Sequence, residues 1–489
     1  MGESEKSEDC EEMHSKMKTQ ICNYEPTIHI SGSPVVRLRY VCLLWLSVCL
    51  LFSFSQEVSG NSTDCLRLLK AAESGSQQSM QDFLDAGCSP NISSSTGLTP
   101  LMAASLNGNL AIAKKLVSSG ANVDAVNFVG LNAWVYAVVS GNLELVEFLE
   151  NEGVTPQVNG TKYASALHFA VTDGSHGSVE YLLSKGADVD AKTEGGWTAL
   201  VYAAALGKPT SAQLLVDAGA KIDITTEEGG VPLVIAARMY HWDVVEILLN
   251  AGADPNLAAS DEYGWTALMY AASKNHVETA RLLVEHGANV DQRNPEGWTA
   301  LMYAAARGPE VFDFLVKEGA DPMVVGYDGF TALMCAAREN QPGICETLIG
   351  KGADVNALCF ESRQYWGPLT LACFGGHENI VRILLQHGAD PNIEPPNRNM
   401  PILVAAEKCP GCFDLLVKNG ARTDVVSSEG KTPLILASES GNSGIVEHLL
   451  QEGAEVDAKD DAGRSALFYA TKEKQYECMK MLLDAGATE

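Results

Sequence analysis

The sequence predicts an all-α solenoid of stacked helix–turn–helix units, preceded by a disordered N-terminus and one apolar segment. First, thirteen equivalent positions recur at intervals of 32 to 36 residues, most often 33. Second, an alanine stands three residues after each position, and third, a glycine follows about nineteen residues after it. A fixed period of this length is the signature of a repeat architecture. The anchor residues are Leu68, Leu101, Trp134, Leu167, Leu200, Leu233, Leu268, Leu301, Leu333, Leu369, Ile402, Leu434 and Leu467.

The composition is that of a folded and strongly acidic protein. The 489 residues are 46% hydrophobic and 20% charged, which argues against wholesale disorder. Lys and Arg number 34 against 62 Asp and Glu, so the net charge is −28. Such a surface repels phosphate backbones and disfavours nucleic acid as a ligand. The 13 cysteines are odd in number and unevenly scattered, which does not predict a disulfide framework.

Each unit has a physical interpretation as a helical hairpin, and the unit anchored at Leu268 serves as the example. A turn at residues 262–264 leads to Thr266, whose hydroxyl is suited to cap the first turn of a helix. Small alanines follow, so a neighbouring helix can approach closely. A second helix carries apolar residues at helical spacing, and Gly287 ends it because a left-handed residue is needed just past the helix. No single unit can bury its own apolar face, so stacking supplies the core.

The motifs at fixed places in the units identify a family resemblance. Thr-Pro-Leu stands at residues 99–101 and 432–434, and Leu-His-Phe-Ala at residues 167–170. This pattern resembles the ankyrin repeat, a unit of 33 residues with a turn and two helices. Most units carry Met or Val where the family has His, and residues 132–134 and 165–167 also depart from the motif. The resemblance implies stacked helical pairs with β-turn fingers and a concave face that binds another protein.

The N-terminal segment lies outside the repeat. Residues 1–34 are polar and acidic, and we predict that they are disordered. Residues 40–54 are an uncharged apolar run, and a start at Val35 lengthens it toward the roughly 20 residues of a membrane-spanning helix. The run is also typical of the apolar region of a cleaved signal peptide. The remaining interpretations are translation from Met17 and a helix buried against the first unit.

The predicted domain organisation has four parts: a disordered N-terminus at 1–34, a signal peptide or single membrane anchor at 35–55, a linker at 56–63 and the repeat array at 64–489. The expected location is therefore the membrane or the secretory pathway, with the cytoplasm as the alternative. Arg37 and Arg39 precede the apolar run, so an anchor would place the array on the non-cytoplasmic side. Sequons at Asn61, Asn91 and Asn159 do not decide the topology.

One motif is a candidate for chemistry: Cys409 and Cys412 form a Cys-x-x-Cys sequence, which can lower a thiol pKa. It lies between the two helices of a unit, which favours a Pro-Gly turn with two flanking thiols over a redox centre. No second such motif or paired histidine is present in the sequence, so we predict no metal site. We predict no cofactor and no enzyme; the alternative is a thiol-disulfide oxidoreductase using Cys409 and Cys412.

A row of aromatic side chains, three residues before successive anchors, is the candidate binding site. The resemblance implies that this position projects from the turns toward the binding face, and tryptophan is frequent among binding hot spots. The other interpretation is that each ring packs against the next turn and stiffens the array. The members of this aromatic row are Trp197, Trp265, Trp298, Phe330 and Trp366.

A second aromatic series, two residues after the anchors, is predicted to be core: Tyr136, Phe169, Tyr202, Tyr270, Tyr303 and Tyr469. Irregular turns near residue 260, at 359–365 and at 394–399 are candidate partner contacts, because long turns on one edge of a solenoid carry function. The expected function is a non-enzymatic scaffold, membrane-tethered or secreted, that binds a partner protein with basic patches.

Overall fold

A computed structural model describes residues 62–128, 130–154, 166–173, 175–193, 195–261, 263–361 and 364–488. Within these residues the chain forms 26 helices in thirteen pairs and one short hairpin, which confirms the predicted helical repeat. The helices are α1 (Ser62–Ser74), α2 (Gln77–Asp85), α3 (Pro100–Leu106), α4 (Leu110–Ser118), α5 (Ala133–Ser140), α6 (Leu143–Asn151), α7 (Ala166–Asp173), α8 (His176–Ser184), α9 (Ala199–Leu206), α10 (Pro209–Asp217), α11 (Pro232–Arg238), α12 (Trp242–Asn250), α13 (Ala267–Ser273), α14 (Val277–Glu285), α15 (Ala300–Arg307), α16 (Pro309–Lys317), α17 (Ala332–Arg338), α18 (Pro342–Gly350), α19 (Pro368–Gly375), α20 (Glu378–Gln386), α21 (Pro401–Lys408), α22 (Pro410–Lys418), α23 (Pro433–Ser440), α24 (Ser443–Gln451), α25 (Ala466–Lys472) and α26 (Tyr476–Asp484). The strands β1 (Cys359–Glu361) and β2 (Gln364–Trp366) pair antiparallel between α18 and α19.

The contacts divide the described chain into two compact units. The first contains the residues up to Ala104 and Ala111–Asn122, and the second contains Ser105–Leu110 and the residues from Val123 onward. In the first unit, α1 packs on α2. In the second unit, each first helix of a pair, from α5 to α25, packs against the first helix of the neighbouring pair. Each pair therefore shares its apolar face with its neighbours, which is how a repeat array builds a core.

The pair α13–α14 shows why the local sequence folds as it does. The Thr266 hydroxyl accepts a hydrogen bond from the Met269 amide at 3.3 Å, so the predicted cap is confirmed. Ala271 is completely buried, as is Leu283 on the second helix. Gly287 has a φ of 91°, the left-handed conformation that ends the helix without a side-chain clash. The buried alanine and the left-handed glycine recur in the other pairs and set the period of the fold, and a side-chain cap recurs in some of them.

Polar side chains connect successive pairs. Asn256 accepts a hydrogen bond from the Asn289 amide at 2.7 Å and donates one to the Gly287 carbonyl at 3.0 Å. His168, where the ankyrin motif has its histidine, is 2% exposed, and its Nε2 lies 3.1 Å from the Trp197 carbonyl oxygen. Buried polar groups placed in this way fix the register between neighbours.

Two cysteine pairs differ from the sequence-based expectation. Cys65 and Cys88 lie at a bonding S–S distance of 2.00 Å, and Cys409 and Cys412 at 2.08 Å. The interpretation of Cys409 and Cys412 as two flanking thiols is wrong, because one helical turn brings them together, and the scatter of the cysteines did not predict the other pair, which forms because helix packing brings α1 to the end of α2. The other cysteines in the described part of the chain are buried and are not in disulfides.

The predicted signal or anchor at 35–55 and the disordered segment at 1–34 lie outside the described residues. No helix among the described residues is long and apolar enough to cross a membrane.

Candidate protein-interaction surface

The turns that precede the first helices form a series of fingers, and five pairs of consecutive fingers among the described residues are joined through the main chain. The bond from one finger to the next runs from an amide to a carbonyl oxygen at 2.8 to 3.2 Å. The pairs are Glu227 to Gly195, Ser260 to Gly229, Tyr327 to Glu296, Phe360 to Asp328, and Asp461 to Glu429. These bonds fix the spacing between fingers, so side chains at neighbouring tips hold a constant distance.

The predicted aromatic row lies at the base of these fingers and is buried. The exposed fraction is 9% for Trp197, 4% for Trp265, 8% for Trp298, 0% for Phe330 and 4% for Trp366. The expectation that these rings project toward a partner is therefore wrong, because each finger is covered by the next. Their assignment to partner binding stays a prediction that no contact in the described chain tests.

The two aromatic series pack against each other within and between units. The Trp265 ring centroid lies 4.8 Å from that of Tyr270 in the same unit and 4.1 Å from that of Tyr303 in the next. Trp298 repeats the arrangement, with Tyr303 at 5.4 Å and Phe330 at 5.3 Å. Ring pairs at these separations are attractive beyond their hydrophobic burial. Tyr270, Trp265, Tyr303, Trp298 and Phe330 thus form one connected aromatic cluster at the base of three consecutive fingers.

The prediction that the second series is core is confirmed for Tyr136, Tyr270, Tyr303 and Tyr469, which are buried, whereas Phe169 and Tyr202 are half-buried. Burial raises the pKa of the Tyr270 hydroxyl well above its ordinary value. Burial also raises the pKa of Tyr136, although a hydrogen bond from Asn127 opposes the effect. These phenols are therefore neutral at physiological pH and serve packing.

Large apolar side chains are exposed instead at the tips of two consecutive fingers. Tyr327 is 73% exposed, Phe360 50%, Val325 47% and Leu358 36%, and half-buried Tyr365 lies beside them. We call these five residues the fingertip patch. Contiguous exposed apolar surface on a folded protein usually marks an interaction site.

The side chains of the fingertip patch are held in place. The rings of Phe360 and Tyr365 lie 4.9 Å apart across the β1–β2 hairpin. The Arg293 guanidinium stands 5.0 Å from the Tyr327 ring centroid, and its Nε donates to the Gly297 carbonyl at 3.1 Å. A second guanidinium nitrogen donates to the Val325 carbonyl. A surface organised before binding loses less side-chain entropy when a partner docks.

The sequence alone identified two of the five residues of this patch. The insertion at residues 359–365 was a predicted partner contact, and it carries Phe360 and Tyr365. Tyr327 and Val325 were missed because they lie in a finger of ordinary length. A tyrosine at a finger tip, where most other units have a polar residue or proline, was the available signal.

The candidates for chemistry are not arranged as a catalytic site. Cys412 is fully buried and Cys409 is 5% exposed. Burial raises the pKa of the free thiol Cys345 to about 12, and it also raises that of Cys373. Over the described residues, no group of three or more potential ligands is placed to hold a metal ion.

Comparison with known proteins finds ankyrin repeats along the described array. The family model described as Ankyrin repeats (3 copies) matches residues 68–160, 152–226, 219–294, 289–359, 328–395, 358–427 and 402–488. Cyclin-dependent kinase 4 inhibitor B of Mus musculus is 33% identical over 130 residues, covering 26% of this chain and 95% of that protein. The Ankyrin repeat, SAM and basic leucine zipper domain-containing protein 1 of Dasypus novemcinctus is 35% identical over 104 residues, 20% of this chain.

The chain spans only 22% of the length of the Dasypus novemcinctus protein. Among solved structures, the human ASB11 ankyrin repeat domain is 25% identical with a TM-score of 0.35, covering 52% of this chain and 98% of that chain.

Proposed function

Because the chain belongs to the ankyrin repeat family, whose repeats generally bind other proteins, we propose that it is a non-enzymatic protein–protein interaction scaffold whose partner docks on the fingertip patch. The observation that carries the proposal is the exposed apolar cluster around Tyr327 and Phe360. Its tyrosine and phenylalanine rings supply large contact area at low entropic cost, as binding hot spots do.

The partner should combine basic residues with an apolar or aromatic anchor. The chain carries a net charge of −28, and carboxylates at the fingers, among them Glu227, Glu228 and Glu296, are exposed. The Arg293 guanidinium near the patch is engaged with Tyr327 and with main-chain carbonyls. A basic segment would therefore be steered to this edge electrostatically and fixed by apolar contact.

The first test is a double substitution in the patch. The binding partners in this test are peptides selected for binding to this chain. We expect the double variant Tyr327→Ala with Phe360→Ala to bind them at least about tenfold more weakly, since each substitution removes a large apolar anchor. Peptides would be selected by display against the whole chain and their affinities measured by titration calorimetry at two salt concentrations. The selected sequences should be rich in Arg or Lys, and added salt should weaken their binding.

The matched control is Tyr476→Ala, because Tyr476 in α26 is 74% exposed, close to the 73% of Tyr327, and lies outside the patch. Melting temperature should be nearly unchanged in all three substitutions. Equal loss of binding on Tyr476→Ala, or selected peptides that are acidic, would contradict the proposed surface and its partner class.

For the location, we propose that residues 35–55 direct the chain to the membrane or the secretory pathway, against the alternative of the cytoplasm. The uncharged run at residues 40–54 supports this. The pairing of Cys65 with Cys88 at the start of the array supports it too, because disulfides persist in oxidising compartments.

Protease protection of a C-terminal tag in isolated microsomes tests the location. We expect the tag to be cleaved only after detergent, and glycosidase to shift the band unless Asn61 is changed to Gln. Asn91 should add little, because its amide donates to the Gly120 carbonyl at 3.0 Å. A tag cleaved without detergent, with free thiols at Cys65 and Cys88, would place the array in the cytoplasm.

A further inference from the structure

In two pairs of the array a single residue connects the first helix to the second, whereas two or three residues make this connection in the other described pairs. Gly308 alone links α15 to α16, and Cys409 alone links α21 to α22. Their backbone angles are alike: φ −125° and ψ 66° for Gly308, φ −144° and ψ 91° for Cys409. In both, the linking amide donates to the first helix, to Ala304 at 2.7 Å and to Ala405 at 2.9 Å.

The residues that follow are equivalent as well. Proline begins each second helix, and the third and fourth positions are buried completely. Val311 and Phe312 occupy these positions in α16, and Cys412 and Phe413 occupy them in α22. Because the glycine connection closes without sulfur, the short turn does not require the cysteines. Their pairing therefore adds a second link across the first turn of α22.

The two sulfur atoms connect only the inter-helix residue and the first turn of α22. Cys409 Sγ is bonded to Cys412 Sγ, and it also accepts the Cys412 amide hydrogen bond at 3.1 Å. The first atom belongs to the connection and the second to the buried face of α22, which packs on α20, α21 and α24. Opening the bond removes this second link, whereas the turn itself closes without sulfur, as the Gly308 connection does.

We propose that Cys409 and Cys412 form a reversible, buried oxidation site that sets the local stability of α22, with a small disulfide such as glutathione disulfide as its co-reactant. In oxidation, one cysteine thiolate attacks the glutathione disulfide and releases one glutathione thiolate. The second cysteine thiolate attacks the mixed disulfide, forms the Cys409–Cys412 bond and releases the second. The two cysteines lose two protons and two electrons, which the two glutathione thiols carry.

Burial distinguishes this site from a catalytic dithiol. Cys409 is 5% exposed and Cys412 is not exposed, so exchange requires the turn to open first. The site therefore responds slowly to the redox state and does not turn over on protein substrates. Cys409 is the sulfur that meets the small disulfide, because it is the less buried of the two.

The test compares the full chain with the double variant Cys409→Gly with Cys412→Val, which copies the α15–α16 connection. Both proteins are equilibrated with glutathione disulfide or with dithiothreitol under native conditions. Alkylation with mass spectrometry then reports the state of each thiol, and hydrogen exchange reports the protection of α22. Closing this short loop should slow exchange of the α22 amides by about twentyfold in the oxidised chain.

The double variant should show the same exchange in α22 under both conditions, although its Cys65–Cys88 pair still responds. Three results would overturn the proposal. The first is free Cys409 and Cys412 thiols after equilibration with glutathione disulfide. The second is a bond that dithiothreitol cannot reduce while the chain is folded. The third is a redox-dependent change in α22 that persists in the double variant.

Discussion

Replacing Trp265 by alanine should cost about 3–5 kcal/mol of unfolding free energy, the range seen when a large buried ring is removed. Trp265 is 4% exposed and contacts Tyr270 in its own unit and Tyr303 in the next. Its loss therefore leaves a cavity at the junction between two pairs. In a repeat array the interaction free energy between neighbouring units holds the array together. The loss of stability should therefore be centred on α13 and α15.

Urea unfolding followed by circular dichroism gives the overall loss, and hydrogen exchange locates it. Tyr263→Ala is the matched control, because this ring lies in the same finger and is 38% exposed. Tyr263→Ala should lower the free energy of unfolding much less than Trp265→Ala does. Full stability of Trp265→Ala together with lost peptide binding would contradict the packing role of Trp265 and support the prediction that the aromatic row binds a partner.

The second large effect is expected at a glycine between two fingers. Gly329 has a φ of 87°, and a Cβ added there would lie 2.9 Å from the Leu358 carbonyl oxygen and 3.0 Å from the Cys359 Cα. Gly329→Ala should cost roughly 1–2 kcal/mol for the left-handed backbone. A further loss of about 1–3 kcal/mol is expected from the forced shift of β1.

Gly319→Ala separates the two contributions, because Gly319 has a φ of 90° and nothing within 4 Å of the added Cβ. Chemical denaturation of both variants should show the larger loss for Gly329→Ala. Gly329→Ala should also weaken peptide binding, since β1 carries Phe360. Equal stability losses would mean that the finger contact contributes nothing.

The repeat was predictable because the same residue type recurs at the same position of each unit. An alanine such as Ala271 is required where first helices meet, and a glycine such as Gly287 is required where a helix ends. Both demands are local and recur in every pair, so one sequence reveals them. The helical hairpins and the core tyrosines followed from these positions.

The burial of the aromatic row was not predictable from the sequence of a single finger. Trp298 is covered by Phe330 and by Asp328, whose carboxylate accepts the indole N–H at 3.3 Å. Both belong to the next unit, so burial here is a property of the stack. The uniform recurrence of Gly-Trp-Thr-Ala-Leu was the available sign, because uniform residues serve the repeat.

Recognition and scaffold are physically separate in this chain. Five of the bonds between consecutive fingers are made by main-chain groups alone, and their amide donors belong to Glu227, Ser260, Tyr327, Phe360 and Asp461, which share no side-chain chemistry. Any residue other than proline can supply that amide. Specificity can therefore diversify over evolutionary time, one tip at a time, while the architecture beneath is inherited unchanged.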